Sequence, residues 1–145
     1  MLELRKSVKE EASAFVEMER SIETKDYVLP YPLEKHKLLI NSNDVIYLSL
    51  YYENELSGFM ILSQESKDVV EFRRIVVSSK GKGIGQLAIK EMERYCREKL
   101  GCSKVWLDVF ELNSRGIHIY QKLGYQQFRE AEIEGKRLLL MNKAL

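Results

Sequence analysis

Residues 72–90 read FRRIVVSSKGKGIGQLAIK, an apolar strand-like run that breaks into three glycines within five residues and resumes as a helix. Beyond the glycines, Ile84, Leu87, Ala88, Met92, Tyr95, Cys96 and Leu100 recur at helical spacing, and Gly101 stops them. Glycine lets a backbone come close to a ligand, and the amides of a helix start favour phosphate oxygens. Lys80, Gly81, Lys82, Gly83, Ile84, Gly85 and Gln86 are therefore the candidate phosphate-binding loop; the same letters without a ligand would make a flexible turn with two solvated lysines. A P-loop is excluded because no Gly-x4-Gly-Lys-Ser/Thr string occurs. A dinucleotide fingerprint survives only in a shifted frame, Gly83, Gly85 and Ala88, and needs an alternating βαβ series around it.

Working outward, the chain upstream of the loop is rich in β-formers over residues 45–52, 56–63 and 69–77, with a polar turn at Glu53, Asn54 and Glu55, which predicts an antiparallel meander. Downstream, residues 105–110 form the next expected strand, and Asn113 or Ser114 caps a helix that ends at Gly124. Residues 125–133 and 137–141 close the chain as two strands around Glu134 and Gly135. Strand, long helix and strand across the loop make a right-handed crossover, so those two strands are expected to be parallel in an otherwise antiparallel sheet. In the first quarter, residues 2–5 read as a strand and residues 33–40 as a short helix. Residues 8–22 read as an amphipathic helix with Val8, Ala12, Phe15, Val16 and Ile22 on one stripe.

With 145 residues the chain has the size of one domain. Its 23 basic side chains nearly cancel 22 acidic ones, which argues against a general binder of nucleic acid or of membrane surfaces. No apolar run approaches a membrane span and the first residues lack the apolar core of a signal peptide, so a cytoplasmic protein is expected. Cys96 and Cys102 fit neither a metal spacing nor a disulfide framework, and no metal is expected.

The loop segment, together with residues 104–125, KVWLDVFELNSRGIHIYQKLGY, resembles the core of the GNAT superfamily of acetyltransferases. Lys80-x-x-Gly83-x-Gly85 stands where the family has Gln/Arg-x-x-Gly-x-Gly/Ala, and Asn113, Tyr120 and Gly124-Tyr125 match its closing run. The branch it looks most like holds ribosomal-protein N-terminal, spermidine and aminoglycoside acetyltransferases. Two departures stand out: Gly116 replaces the usual Ala, and the loop lacks the common Pro. The resemblance implies an α/β fold in one domain over residues 1–145. It would be a mixed, mostly antiparallel sheet of about six or seven strands, with helices on both faces and a parallel crossover pair splayed at the coenzyme site.

The resemblance further implies acetyl-CoA as co-substrate and direct attack by an amine on its thioester. Backbone groups of Ile75, Val76 and Val77 would align the pantetheine arm, Asn113 would hydrogen-bond it, and Tyr120 would protonate the leaving sulfur. Glu71 and Asp108 are the two candidate bases for the amine, with Glu71 placed first; an ion pair of Glu71 with Arg73 is the structural alternative. His36 and His118 are assigned no catalytic part. The expected partner is an amine-bearing small molecule or a peptide N-terminus, with a homodimer left open. Glu17, Glu19, Glu23 and Asp26 beside Tyr27 and Tyr31 suggest a mildly acidic, aromatic mouth for it. A silent acyl-CoA-binding module and a nucleotide-dependent oxidoreductase are the competing functions.

Overall fold

Two tight turns organise the sheet. Glu53 and Asn54 (φ 52° and 66°) and Glu134 and Gly135 (φ 49° and 76°) each place two successive residues in the left-handed region, the geometry whose twist matches a two-residue hairpin. The structure, a computed structural model, describes residues 1–21, 24–78 and 81–145. Its strands are β1 (Leu2–Lys6), β2 (Ile46–Tyr52), β3 (Glu55–Gln64), β4 (Val69–Val77), β5 (Lys104–Phe110), β6 (Gln126–Ile133) and β7 (Lys136–Ala144). The helices are α1 (Ala12–Arg20), α2 (Leu33–Ile40), α3 (Ile84–Glu98) and α4 (Ser114–Lys122). The strands form one seven-stranded sheet in the order β1-β2-β3-β4-β5-β7-β6. Every pair is antiparallel except β4 with β5, as the crossover rule requires. That order is a meander followed by two crossovers, through α3 and through α4, and the second leaves antiparallel β7 between β5 and β6, so the run of adjacent parallel strands needed by the dinucleotide fingerprint is absent from the described residues.

Each face of the sheet has its own core. On one, α3 lays Ala88, Ile89, Met92 and Cys96 over Leu48, Met60, Val70, Phe72, Val105 and Leu107, with Ile117, Ile119 and Tyr120 of α4 packed at the margin. On the other, Phe15 of α1 stacks on Phe59 with ring centroids 4.2 Å apart, among Tyr47, Ile61 and Val76. Helix burial differs from the expected stripes at two positions. Val8 precedes a short 3-10 turn ahead of α1 and is 51% exposed, and Leu87 is 44% exposed because Ile89 and Glu93 take the sheet-facing places. Ile22 lies outside the described residues.

Glu19 is fully buried in α1 although its sequence neighbours mark a solvated face. Its carboxylate accepts from His36 Nε2 at 2.8 Å and from the Tyr31 N–H at 3.0 Å, and pairs with Arg74 of β4. His36 Nδ1 lies 2.8 Å from the Tyr47 hydroxyl, and Arg74 donates to the Leu29 carbonyl at 2.7 Å. Burial pushes the Glu19 pKa up, but the His36 hydrogen bond and the Arg74 charge outweigh it, and the net direction is down. Its stabilising contribution is therefore present at neutral pH, and is lost on acidification from the ordinary glutamate value, about 4.3, down through the folded one.

Removing one partner of a buried charge network strands the others, at about 3–5 kcal/mol. Glu19→Ala should lower Tm by roughly 10 °C in a thermal melt at neutral pH. A drop of only a degree or two would show that the network contributes little.

Candidate active site

Among the described residues the start of α3 is bare of protein partners. Gly81 and Gly83 take positive φ (80° and 70°), where an L side chain is strained, and a Cβ on either would meet nothing within 4 Å. Gly83 is the N-cap and offers no side-chain acceptor. Among the described residues the N–H groups of Ile84, Gly85 and Gln86 have no carbonyl partner, and the ladder begins with Leu87 N–H donating to Gly83 O at 3.2 Å. A row of free donors at the positive end of a 15-residue helix is a site for a phosphate-bearing ligand. Buried Ile84 and Ile89 anchor it to the core. Lys82 is exposed beside it, and Lys80 lies outside the described residues.

Beside this helix start the sheet opens. β4 and β5 pair only at Val69 with Lys104, Val70 with Val105 and Glu71 with Trp106; beyond that β5 pairs with β7 alone, as far as Phe110 with Leu138. The parting begins where the β3–β4 register shifts, with Phe72 opposite Leu62 but Arg74 opposite Ile61, so that Arg73 is an extra residue in a β-bulge. Ser78 N–H donates to Ser57 O at 2.8 Å on the β3 side. Antiparallel alternation then turns the backbone of Val76 toward β3 and the backbones of Ile75 and Val77 into the gap. A cleft of about 790 Å³ passes through the gap, lined among others by Gly83, Gly85, Ile75, Val77, Asn113, Tyr120, Glu71 and Asp108.

α4 carries two of these groups. Asn113 is its N-cap, and Oδ1 accepts the Gly116 N–H at 2.9 Å, which leaves the side-chain amide nitrogen without a partner among the described residues. A Cβ at position 116 would lie 2.6 Å from that nitrogen. A side chain at 116 would have to displace the Asn113 side chain from this rotamer. Tyr120 is half-buried and meets the Tyr125 ring edge-on at 5.9 Å, while the Tyr125 hydroxyl donates to Glu93 at 2.9 Å and Lys143 pairs with the same carboxylate. Burial, then the nearby Asp108, push the Tyr120 pKa up to about 12, so the hydroxyl keeps its proton at neutral pH. It has no hydrogen-bond partner among the described residues.

The two carboxylates face the opposite side of the sheet from α3, since Val70 and Phe72, and Leu107 and Val109, alternate with them into the α3 core. Glu71 accepts from Arg73 Nη2 at 3.0 Å and from Arg73 Nε at 3.2 Å. Asp108 is exposed to the cleft and has no hydrogen-bond partner among the described residues. Its pKa is raised, first by the protein mass around it and then by Glu71, against the opposing pull of Arg73 and Arg74.

Among the described residues, none of the acids of the N-terminal segment lines the cleft. Glu19 is locked in the buried network, Glu17 and Asp26 do not line the cleft, and Glu23 lies outside the described residues. Thr24, Tyr27, Val28 and Leu29 line it instead. Sequence reasoning missed both the network and the bulge. The double arginine at 73 and 74 was the available signal, because two polar residues in succession break the period of a strand that otherwise alternates. His118 is exposed and His36 is buried in the network, away from the cleft. Burial pushes the Cys96 thiol up to about 12 and raises that of Cys102, and neither reaches the cleft.

The sequence model of the acetyltransferase (GNAT) family matches residues 9–125. A spermine/spermidine N(1)-acetyltransferase of Bacillus subtilis is 28% identical over 102 residues, covering 64% of this chain and 67% of the relative. A streptothricin acetyltransferase of Streptomyces lavendulae is 28% identical over 76 residues, 50% of this chain and 40% of that one. Among solved structures, spermidine N-acetyltransferase from Vibrio cholerae in complex with CoA and spermine superposes with a TM-score of 0.84 at 19% identity, over 99% of this chain and 95% of that one. Arabidopsis thaliana NAA60 in complex with a bisubstrate analogue does so at 0.79 and 18%, over 100% and 99%. These last two likenesses are of fold.

Gly85 separates ligand approach from folding: its φ is ordinary for a helix, and an added Cβ would meet only Val77 Cγ2, at 4.0 Å. Gly85→Leu should therefore keep the wild-type Tm while weakening the binding of coenzyme A, used as a diphosphate probe in calorimetric titration, by at least about tenfold, or 1.4 kcal/mol. Unchanged affinity in the folded variant would remove the α3 start from the site.

Proposed function

The chain belongs to the acetyltransferase (GNAT) family, and from that membership we propose a division of labour among the residues of its cleft. It transfers an acetyl group from acetyl-CoA to an amine. The observation that carries the proposal is the passage through the β4–β5 gap, which joins the bare helix start and Tyr120 on one face of the sheet to Glu71 and Asp108 on the other.

The free donors of Ile84, Gly85 and Gln86, with Gly81 and Gly83 giving access and Lys80 and Lys82 adding charge, suit the diphosphate of the co-substrate. The gap-facing backbones of Ile75 and Val77 and the free amide nitrogen of Asn113 suit its amide-bearing arm, Val76 serving to hold β4 on β3. The acetyl thioester supplies the carbonyl that the amine attacks. The new bond forms between nitrogen and the carbonyl carbon, the carbon–sulfur bond breaks, and one proton leaves the nitrogen while the sulfur gains one.

Asp108 is the proposed acceptor of the amine proton, directly or through one water, with Glu71 as the charge that tunes it. This reverses the order read from the sequence. The support is that Arg73 already engages Glu71, whereas Asp108 is unbonded, faces the cleft and has a raised pKa, which brings a carboxylate nearer the working range of a base. Tyr120 is the proposed donor to the sulfur. A hydroxyl with pKa about 12 stays protonated at neutral pH, so it is always ready to donate a hydrogen bond as negative charge develops. Neither cysteine is given a part, since a buried thiol held protonated is a poor nucleophile. The proposed acceptor is the amine of a small molecule, in line with the spermine and spermidine in the Bacillus relative's name.

Tyr120→Phe should lower kcat by about 10²-fold with little change in coenzyme affinity. Asp108→Asn should lower kcat similarly and abolish the acid limb of the kcat/KM–pH profile. In the parent enzyme that limb reflects loss of the ionised base, and it should fall above the ordinary aspartate value of about 3.9 because the shift is upward. A larger loss in Glu71→Gln than in Asp108→Asn would return the base to Glu71.

A further inference from the structure

On the carboxylate side of the gap the cleft wall is apolar. Tyr27, Val28, Leu29, Phe110, Ile133 and Leu138 line it, from three separate parts of the chain. Tyr27, Leu29 and Ile133 are 46%, 38% and 40% exposed, large apolar side chains left uncovered together around one opening. Such clustering at a pocket mouth marks a surface that something covers. The wall is also held in place. Arg74, fixed by buried Glu19, donates to the Leu29 carbonyl and lies 4.0 Å over the Tyr31 ring, which ties the segment bearing Tyr27 and Leu29 to β4. Little ordering is left to be done when a ligand arrives.

The charges at this mouth nearly cancel. Glu71 is taken up by Arg73, Glu19 is spent on His36 and Arg74 below the surface, and Lys136 stands 5.4 Å over the Phe110 ring at the rim. Asp108 is the single carboxylate lining the cleft that no cation bonds, among the described residues. Among the described residues, one ammonium finds one counter-charge here, and a second or third would meet Arg73, Lys136 or hydrocarbon.

Resting on the acetyl-transfer reading above, we propose that the acceptor is a monoamine carried on an apolar or aromatic body, and that linear polyamines are poor acceptors. The amine enters toward Asp108 while its body lies against Leu29, Ile133 and Leu138. The amine nitrogen gains the acetyl carbon as the carbon–sulfur bond breaks, and the proton it sheds goes to Asp108. This sets the chain apart from the spermine- and spermidine-named relatives although the fold is shared.

The test compares kcat/KM by thiol release for 2-phenylethylamine, ethylamine and spermidine at one pH and one ionic strength. Phenylethylamine should exceed each of the others by at least about tenfold, the size expected when an apolar pocket gains or loses several carbons. Ile133→Glu, a change at a partly exposed position that the fold tolerates, should shift the phenylethylamine-to-spermidine ratio at least about tenfold toward spermidine. Spermidine equal to or better than phenylethylamine, or a ratio untouched by Ile133→Glu in a folded variant, overturns the proposal and leaves acetyl transfer standing. Absence of thiol release with every amine, in a protein that binds acetyl-CoA, defeats the acetyl-transfer reading itself and this one with it.

Discussion

β4 and β5 share only three residue pairs, and the site depends on that brevity. Two neighbouring strands normally satisfy each other along their length, since unpaired backbone groups are costly when buried. Here β5 spends one edge on seven pairs with β7, while β4 is bent by the bulge at Arg73 after its third pairing with β5. What remains between them is backbone with unmet hydrogen-bonding capacity, opening beside a helix whose first donors are also unmet. A sheet closed across this point would have no passage between its faces. The proposed chemistry needs that passage, because Tyr120, the proposed proton donor, and Asp108, the proposed acceptor, stand on opposite sides.

Three polar groupings keep the opening in shape. Asn113 caps α4 by accepting the Gly116 N–H, which fixes the start of the helix that carries Tyr120. Glu93, Tyr125 and Lys143 form a second grouping that holds the Tyr125 ring edge-on to Tyr120. The third, Glu19 with His36 and Arg74, buries a carboxylate inside the α1 side and ties the segment after α1 to the strand that bulges. This last grouping acts on fold and site together. It takes up Glu19, one of the acids expected at the mouth, and it ties down the segment that bears Tyr27 and Leu29.

Much of this was legible in the sequence because local rules and tertiary context agree over most of the chain. The meander, the crossover, α3 and the closing hairpin follow from period, turn chemistry and chain order, and the glycine loop follows from the conformations only glycine adopts freely. The misreadings fall where tertiary contacts override local pattern. Glu19 sits on a helix turn that reads as solvated, and its burial rests on partners distant in sequence, His36 of α2 and Arg74 of β4, the latter 55 residues away. The Glu71–Arg73 ion pair was legible from their shared strand face, whereas the bulge at Arg73 shows in the sequence only as a doubled arginine.

The central claim is that amine and acetyl-CoA occupy the two ends of one passage together and that acetyl passes directly between them. Initial rates over a matrix of acetyl-CoA and amine concentrations test it most directly. Double-reciprocal lines that intersect are the predicted result, because both substrates must be bound before the chemistry. Parallel lines, together with a stoichiometric acetyl adduct on protein incubated without amine and discharged by amine at the turnover rate, would contradict it.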